Sequence, residues 1–249
     1  MRAWMYIDGY NFYFAIKEEF KAKRLRQGLD NRIGLGWCDF RRLAHASGVV
    51  TTPEEVSTIK YFTAKVTEED PHHGRPYESD RQANWLSAVQ TTPGLRIILG
   101  RHLQPKGSTR KEKQTDVNIA VELLLDALDP EGCEHAVLVT GDTDFAPAGW
   151  AFVHRVPELL TRLGLPTTAK RLSVLLPPGQ SGKGWCKYFA ERGSVLEPVP
   201  ITEPMLASSL LKYEIGTADG HAIRCLPEWR LMSTYLDLSV PASRRPDRK

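Results

Sequence analysis

The 249-residue sequence has few residues that form disulfides or bind soft metals, and their spacing suits neither role. The four cysteines are far apart, with no zinc-ribbon or redox spacing, so reduced structural thiols are expected. The seven histidines include the adjacent pair His72 and His73, but no helical pair at i and i+4. The common zinc and disulfide frameworks are therefore excluded as interpretations of this chain.

The sequence also lacks an apolar run near the roughly 20 residues that a membrane-spanning helix needs. Its amino terminus is apolar too briefly for a signal peptide and soon reaches Asp8. We therefore expect a cytoplasmic protein with no membrane association. The content of 41% hydrophobic and 25% charged residues is typical of a globular protein with a full core.

A strong net charge is absent as well, because the formal value is only +3. Basic residues are nevertheless concentrated in two stretches, 17–42 and 101–113, and the second contains Arg110, Lys111 and Lys113. Basic stretches beside an acidic site suit a polyphosphate such as RNA. Solvated surface charge is the better explanation for any single one of these residues.

A nucleotide-binding phosphate loop is also missing. The segment 179–184 contains three glycines and Lys183, but its first glycine is one residue too close and no Ser or Thr follows the lysine. We therefore exclude an ATP site there.

Short apolar runs alternate with helical patterns along the chain. Strands are predicted at 4–7, 56–66, 95–99, 136–140 and 171–176. Helices are predicted at about 12–20, 77–90, 116–128, 146–163 and 183–192, with Pro147 and Pro157 interrupting the fourth. This alternation predicts an α/β, Rossmann-like three-layer sandwich with a mainly parallel sheet of about five strands.

The domain organisation predicted from composition is one domain at 1–196 and a C-terminal extension at 197–249. Residues 21–50 form a basic insertion with a short helix around 39–46. The extension is Pro-rich and contains a short helix near 203–211, a hairpin near 216–223 and a disordered tail from about 241. It either covers a sheet edge or joins subunits in a homo-oligomer, and the sequence leaves both open.

Aspartates occupy the ends of predicted strands and the start of a helix. Asp8 follows the first strand, Asp142 and Asp144 follow the apolar run 135–140, and Asp116 opens the helix with the clearest apolar periodicity. That periodicity is carried by Val117, Ala120, Val121, Leu124, Leu125 and Leu128. Right-handed crossovers bring such junctions to one sheet edge. Helix capping is the alternative explanation for the acids after the first.

Four carboxylates at one edge have a predictable chemistry. We expect Gly141 to allow a tight turn that presents Asp142 and Asp144 together. Two carboxylates 4 Å apart repel by roughly 4 kcal/mol at an effective dielectric of 20. An acidic site without thiols or imidazoles favours Mg²⁺ or Mn²⁺, and such an ion can activate water and neutralise the leaving oxygen of a phosphodiester.

Three ordered segments carry a family resemblance: Tyr6-Ile7-Asp8-Gly9-Tyr10-Asn11, Glu112-Lys113-Gln114-Thr115-Asp116-Val117 and Val139-Thr140-Gly141-Asp142-Thr143-Asp144-Phe145. Over about residues 1–195 the chain resembles the NYN family of PIN-like ribonucleases. The resemblance implies a PIN-like sheet and metal-dependent RNA cleavage, with Asp8, Asp116 and Asp142 as metal ligands. Asp144 matches the fourth acidic position and Asn11 the asparagine beside the first acid. The insertion at 21–50 and the segment 179–184 depart from the family pattern.

We therefore predict an endoribonuclease whose catalytic and metal-binding residues are the four aspartates. Asn11, Lys113, Arg110 and Lys111 are predicted to contact the RNA. A Toprim-like enzyme would need a glutamate where Asp8 stands, and a dehalogenase-like enzyme would need its Asp-x-Asp on the first strand. A noncatalytic RNA-binding or protein-interaction module on the same fold is the alternative from another class.

Overall fold

One parallel sheet organises the chain. The computed structural model describes residues 2–27, 35–66, 78–103, 111–129, 131–217 and 220–225. The strands are β1 (Ala3–Asp8), β2 (Val56–Thr63), β3 (Leu95–Leu99), β4 (Arg101–Leu103), β5 (Lys111–Lys113), β6 (His135–Val139), β7 (Arg171–Leu176), β8 (Val199–Pro200), β9 (Glu214–Gly216) and β10 (Ala222–Arg224). Six of them form the main sheet in the order β3-β2-β1-β6-β7-β8, and every pairing in it is parallel. The predicted α/β sandwich is confirmed, with six strands rather than about five.

Helices follow the strands as the alternation predicts. They are α1 (Gly9–Gln27), α2 (Phe40–Ala46), α3 (Glu78–Gln90), α4 (Thr115–Leu128), α5 (Ala146–Trp150), α6 (Val156–Arg162), α7 (Lys183–Ala190) and α8 (Glu203–Ser208). The helix predicted to be interrupted by two prolines is a run of α5, a π turn (Ala151–Arg155) and α6. Pro157 lies in the first turn of α6, directly after the wider turn, where its missing N–H costs least.

The sheet buries both of its faces, and β1 illustrates how. Met5 and Ile7 point into one core with Phe12 and Ile16 of α1 and with residues of α2, α3 and α8. Tyr6 points into the other core with α4, α5, α6 and α7. Because strand side chains alternate, an uninterrupted apolar run such as β1 is the pattern expected of a strand covered on both sides.

Helix α4 is present as predicted, but its apolar periodicity does not mark its buried face. Ile119, Leu123 and Ala127 are the fully buried apolar residues of this helix. Val117, Val121, Leu125 and Leu128 of the predicted stripe are instead exposed. The helix is apolar on two sides, so the sequence alone could not indicate which side packs on the sheet.

A buried ion-pair network joins α4 to β2. The Lys60 ammonium lies 2.6 Å from a Glu122 carboxylate oxygen and 2.5 Å from one of Asp126. The Tyr6 hydroxyl donates to the same Asp126 oxygen at 2.7 Å. One ammonium thus pairs with two carboxylates beneath the helix. We call Lys60, Glu122, Asp126 and Tyr6 the Lys60 network.

The described part of the predicted C-terminal extension packs against the rest of the chain. Strand β8 pairs with β7 and covers that sheet edge, and Leu206 of α8 enters the first core. The predicted hairpin is β9 paired with β10. The sixth strand was missed because it is two residues long and ends in Pro200, which an edge strand tolerates.

Some predictions lie outside the described residues. These are Arg110, the histidine pair at 72 and 73, residues 28–34 of the basic insertion and the tail from 241. Across the described ranges, no helix combines the length and apolar character needed to cross a bilayer.

Candidate active site

The candidate site lies where the sheet topology reverses direction. From β1 the chain builds β2 and β3 on one side and later β6, β7 and β8 on the other. The carboxyl ends of β1 and β6 are therefore adjacent, and loops diverge from them to open a crevice. Asp8 ends β1, and the segment 140–144 follows β6. This places the first and third predicted acidic segments side by side.

Asp8 is buried, with only 6% of its surface exposed, and it is held by neutral donors. One carboxylate oxygen accepts a hydrogen bond from the Asn11 backbone N–H at 3.0 Å. The other accepts one from the Thr140 hydroxyl at 3.1 Å. Burial of a carboxylate without a cation is costly, so this position is not explained by stability alone.

Thr140 connects the two strand ends and was missed by the sequence analysis. Its hydroxyl donates to Asp8 and accepts a hydrogen bond from the Asp142 backbone N–H at 3.1 Å. The side chain is fully buried. A threonine at the end of a strand is ordinary in sequence, and only its position between two predicted acids could have indicated this role.

Asn11 makes a second connection between the same two strands. Its side-chain oxygen accepts a hydrogen bond from the Gly141 N–H at 2.9 Å. Asn11, which was predicted to contact the RNA, therefore positions the two strand ends. Its side-chain oxygen is already used in that hydrogen bond. Gly141 does not adopt a positive φ, so the expected tight-turn explanation is wrong. A Cβ at that position would lie 2.7 Å from the Gln180 side chain, and close packing is what requires glycine.

Asp142 and Asp144 lie on a short 3-10 turn, Thr143–Phe145. Asp142 is half-buried, and its carboxylate accepts a hydrogen bond from the Asp144 backbone N–H at 2.9 Å. The predicted capping role of this segment is thus present. Asp144 is exposed. Capping uses one oxygen of Asp142, so it does not exclude a second role for this carboxylate.

Asp116 reaches the site from α4. It lies in the first turn of that helix, two residues after Gln114, whose φ of +79° is in the left-handed region. A non-glycine residue in this conformation is uncommon and costs about 1 kcal/mol or more. The strained residue turns the chain from β5 into α4.

The electrostatics couple all four acids. Burial raises the pKa of Asp8 from its ordinary 3.8 to about 6, and the charges of Asp116 and Asp142 add to this rise against the opposing hydrogen bonds from Asn11 and Thr140. Asp116 is exposed, yet partial desolvation and the charges of Asp142 and Asp144 raise its pKa as well. The structure therefore brings the predicted acids within electrostatic reach of one another.

The donor set fits a hard divalent cation. Its four side chains offer only carboxylate oxygens, and none of them forms an ion pair with a described residue. Within the described residues, no group of three or more His, Cys, Asp or Glu side chains converges closely enough to hold one metal ion. Mg²⁺ commonly takes one or two carboxylates and keeps its waters, so it does not require such a group. The metal-ligand roles of the four acids remain predictions.

A loop after β7 borders the site. Gln180 packs on Gly141, and a Cβ at Gly184 would lie 2.5 Å from the Thr143 side chain. Residues 180–184, which lack phosphate-loop spacing, thus form one wall beside Asp142. No motif in the sequence indicates this proximity, because it arises from the pairing of β6 with β7.

Of the predicted basic contacts, two lie on described backbone. Lys111 and Lys113 belong to β5, which pairs with β4 in a hairpin that leads directly into α4. Arg110 is outside the described residues. The chain thus carries the basic stretch 101–113 to within a few residues of Asp116.

An aromatic pocket opens beside the first turn of α1. Its internal volume is about 80 Å³, against the roughly 10–15 Å³ that one water requires. Gly9, directly after Asp8, lines it together with Thr63 at the end of β2. A Cβ at Gly9 would lie 2.6 Å from the Tyr61 ring, so glycine permits this ring to pack against the helix start.

Two known proteins are similar to this chain. One is the 6-hydroxy-3-succinoylpyridine 3-monooxygenase of Pseudomonas putida, 29% identical over 59% of this chain and 54% of that protein. The chain thus matches about half the length of that relative. The other is a crystal structure of a protein of unknown function from Vibrio parahaemolyticus, 19% identical, covering 81% of this chain and 93% of that one with a TM-score of 0.46.

A family model also matches the chain. The NYN domain model matches residues 2–152, which is more than half of the chain and includes all three acidic segments. With the parallel sheet and the coupled acids at its edge, this identifies the chain as a member of the NYN domain family, a PIN-like family of nuclease type.

Proposed function

We propose that this protein is a metal-dependent endoribonuclease. The observation that carries the proposal is the set of electrostatically coupled acids, Asp8, Asp116, Asp142 and Asp144, at the switch point of the sheet with no described cation beside them. Family membership supports a nuclease-type, RNA-related function. The reaction is hydrolysis of an RNA phosphodiester bond, and Mg²⁺ or Mn²⁺ is the cofactor.

Asp8, Asp116 and Asp142 would hold the cation directly or through its waters, and Asp144 would complete the acidic rim. A bound divalent ion supplies charge neutralisation at the phosphate and a more acidic water. Thr140 and Asn11 keep the two strand ends in register, because each forms a hydrogen bond across them. Arg110, Lys111 and Lys113 would contact the RNA backbone near Asp116.

Cleavage of an end-labelled single-stranded RNA tests this proposal. We expect cleavage with Mn²⁺ or Mg²⁺ that a chelator abolishes and that Asp8→Asn or Asp142→Asn lowers at least about 100-fold, a loss of about 2.7 kcal/mol in transition-state stabilisation. Glu158→Gln is the matched control, because it removes an exposed carboxylate on α6. Equal cleavage by all variants would assign the activity to a contaminant. Saturable RNA binding without cleavage would favour the noncatalytic module.

A second candidate is hydroxylation of a small heteroaromatic ring. The relative named as a monooxygenase of a substituted pyridine suggests it, and the aromatic lining of the pocket beside Asp8 is compatible with it. Replacement of a ring hydrogen by a hydroxyl group consumes O₂, NADH and a proton, and gives the hydroxylated ring, NAD⁺ and water. Oxygen uptake with 6-hydroxy-3-succinoylpyridine and NADH tests it, and substrate-dependent uptake lost in Tyr13→Leu would favour this function over RNA cleavage.

A further inference from the structure

The aromatic pocket has walls suited to a flat ring. Five aromatic side chains line it: Tyr10, Tyr13, Phe14, Tyr61 and Trp85. Tyr10, Tyr13 and Phe14 follow one another on the first turns of α1, whereas Tyr61 and Trp85 come from β2 and α3. Aromatic side chains can bind any planar ring because every such ring has a π face.

Hydrogen bonds hold three of the five rings in place before any ligand binds. The Trp85 indole N–H donates to the Tyr61 hydroxyl at 3.1 Å. The Tyr10 hydroxyl donates to the Ala64 carbonyl at 3.2 Å, and the Gln82 amide bonds to the backbone of residues 64 and 66. A rigid pocket loses little conformational entropy when it is filled, which favours binding.

Lys17, Arg81 and Thr63 add two cations and an aliphatic hydroxyl to the lining. The Lys17 ammonium lies 5.7 Å from the Tyr13 ring centroid and 5.6 Å from that of Phe14. Arg81 also lines the pocket, as does Thr63, whose side chain forms no hydrogen bond with a described residue. Cations suit the phosphates that flank a base, and a hydroxyl suits a ring nitrogen or carbonyl oxygen.

The position of the pocket connects it to the acidic site. Gly9 and Tyr10 line the pocket, and the residue before them is Asp8. The start of α1 therefore joins the pocket to the end of β1, which carries Asp8. Resting on the proposed function, we propose that the aromatic pocket holds one unstacked nucleobase of single-stranded RNA beside the phosphate that is cleaved.

The experiment is an abasic scan of a single-stranded RNA pentamer, with binding measured by fluorescence anisotropy in Mg²⁺. Asp142→Asn is the background throughout, so that the RNA stays intact. Removal of the base at one position should weaken binding about tenfold, because stacking on aromatic side chains contributes that much per base. Removal at the other positions should change it much less. Equal affinity of all abasic pentamers would overturn the proposal before any pocket residue is changed.

Variants then place the effect in the pocket. Tyr13→Leu with Phe14→Leu should weaken the intact pentamer about tenfold and remove its advantage over the critical abasic one. Tyr188→Leu is the matched control, because it removes a half-buried ring on α7 that stacks on Arg192 instead. If the control and the double variant behave alike, the base does not lie in this pocket. Binding of 6-hydroxy-3-succinoylpyridine in place of the pentamer would also overturn the nucleobase assignment.

The two proposals can fail separately. A position-specific abasic effect in a protein that cleaves no RNA would contradict the nuclease function and support the pocket. Metal-dependent cleavage by a protein that binds every abasic pentamer equally would support the nuclease function and contradict the pocket.

Discussion

Two positions of β1 differ in whether a described cation pairs with the acids beside them. Tyr6 and Asp8 are two residues apart on β1, so their side chains leave the same face of the sheet. At Tyr6, two acids of α4 meet the ammonium of Lys60. At Asp8, the charges within reach among the described residues are those of other acids, and the hydrogen bonds come from neutral groups of Asn11 and Thr140.

The presence or absence of a pairing cation within the chain distinguishes a stabilising charge cluster from a candidate functional one. In the Lys60 network a cation of the chain itself lies between two acids, and the network joins β1 and β2 to α4. Among the described residues, no such cation pairs with the acids at the ends of β1 and β6. A fold can keep such an uncompensated site because the rest of the core supplies the stability that the site costs.

The largest effect is expected where compensation is removed. Lys60→Ala would leave the carboxylates of Asp126 and Glu122 without their cation, and removing one partner of a buried pair costs about 3 kcal/mol or more. The free energy of unfolding from urea denaturation measures this loss. Lys187→Ala breaks an exposed pair with Glu191 and should cost less than about 0.5 kcal/mol. Similar losses for both lysines would mean that the Lys60 network does not stabilise the fold.

The second effect is a pH dependence of stability. It arises because no described cation pairs with the buried Asp8, in contrast to the acids that pair with Lys60. Because the folded pKa of Asp8 is about 6 and its ordinary value 3.8, the folded state binds the proton more tightly. The contribution to the free energy of unfolding is thus fully present below pH 3.8 and is lost as pH rises through about 6, to a total of roughly 3 kcal/mol.

Comparison with Asp8→Asn isolates this contribution. In chelator, the variant should be more stable than the unsubstituted protein at pH 8, and the difference should shrink toward pH 4. Urea denaturation across this range measures it. A difference that is independent of pH would show that Asp8 carries no raised pKa in the folded protein.

The smallest effect is expected at the connection between the acids. Thr140→Val removes the hydroxyl that donates to Asp8 and accepts from the Asp142 N–H. The Asp8 carboxylate and the Asp142 N–H then each lose a hydrogen-bond partner. We expect a loss of about 1–2 kcal/mol in stability and a further rise in the pKa of Asp8. Thr140→Ser keeps both hydrogen bonds and serves as the control. If the two variants have equal stability and Asp8 has the same pKa in both, the Thr140 hydroxyl does not connect the acids.

Much of the fold could be predicted because the strands and helices follow local patterns of apolar residues. The apolar runs at 95–99 and 171–176 coincide with β3 and β7 residue by residue. The acids could be found because parallel topology brings strand ends together whatever the details of packing. The short β8 has too few residues for any periodicity, so the sixth strand could not be found in this way.

What could not be predicted depends on contacts between distant residues. Lys60 in an apolar strand gives no sign that its partner is Asp126 on a later helix. The buried face of α4 depends on how the helix lies on the sheet, because Leu123 and Leu125 are equally apolar and only the former is buried. Gly141 was expected for its turn, but it is needed because Gln180 packs against it.

Uptake of Mn²⁺, followed by the electron paramagnetic resonance signal of the free ion, measures whether the acids at the ends of β1 and β6 bind a cation. We expect saturable binding by the unsubstituted protein that Asp8→Asn or Asp142→Asn weakens at least tenfold and Glu158→Gln leaves unchanged. Binding that is absent at millimolar Mn²⁺, or equal in all four proteins, would contradict the claim that the acids at the ends of β1 and β6 form a cation site.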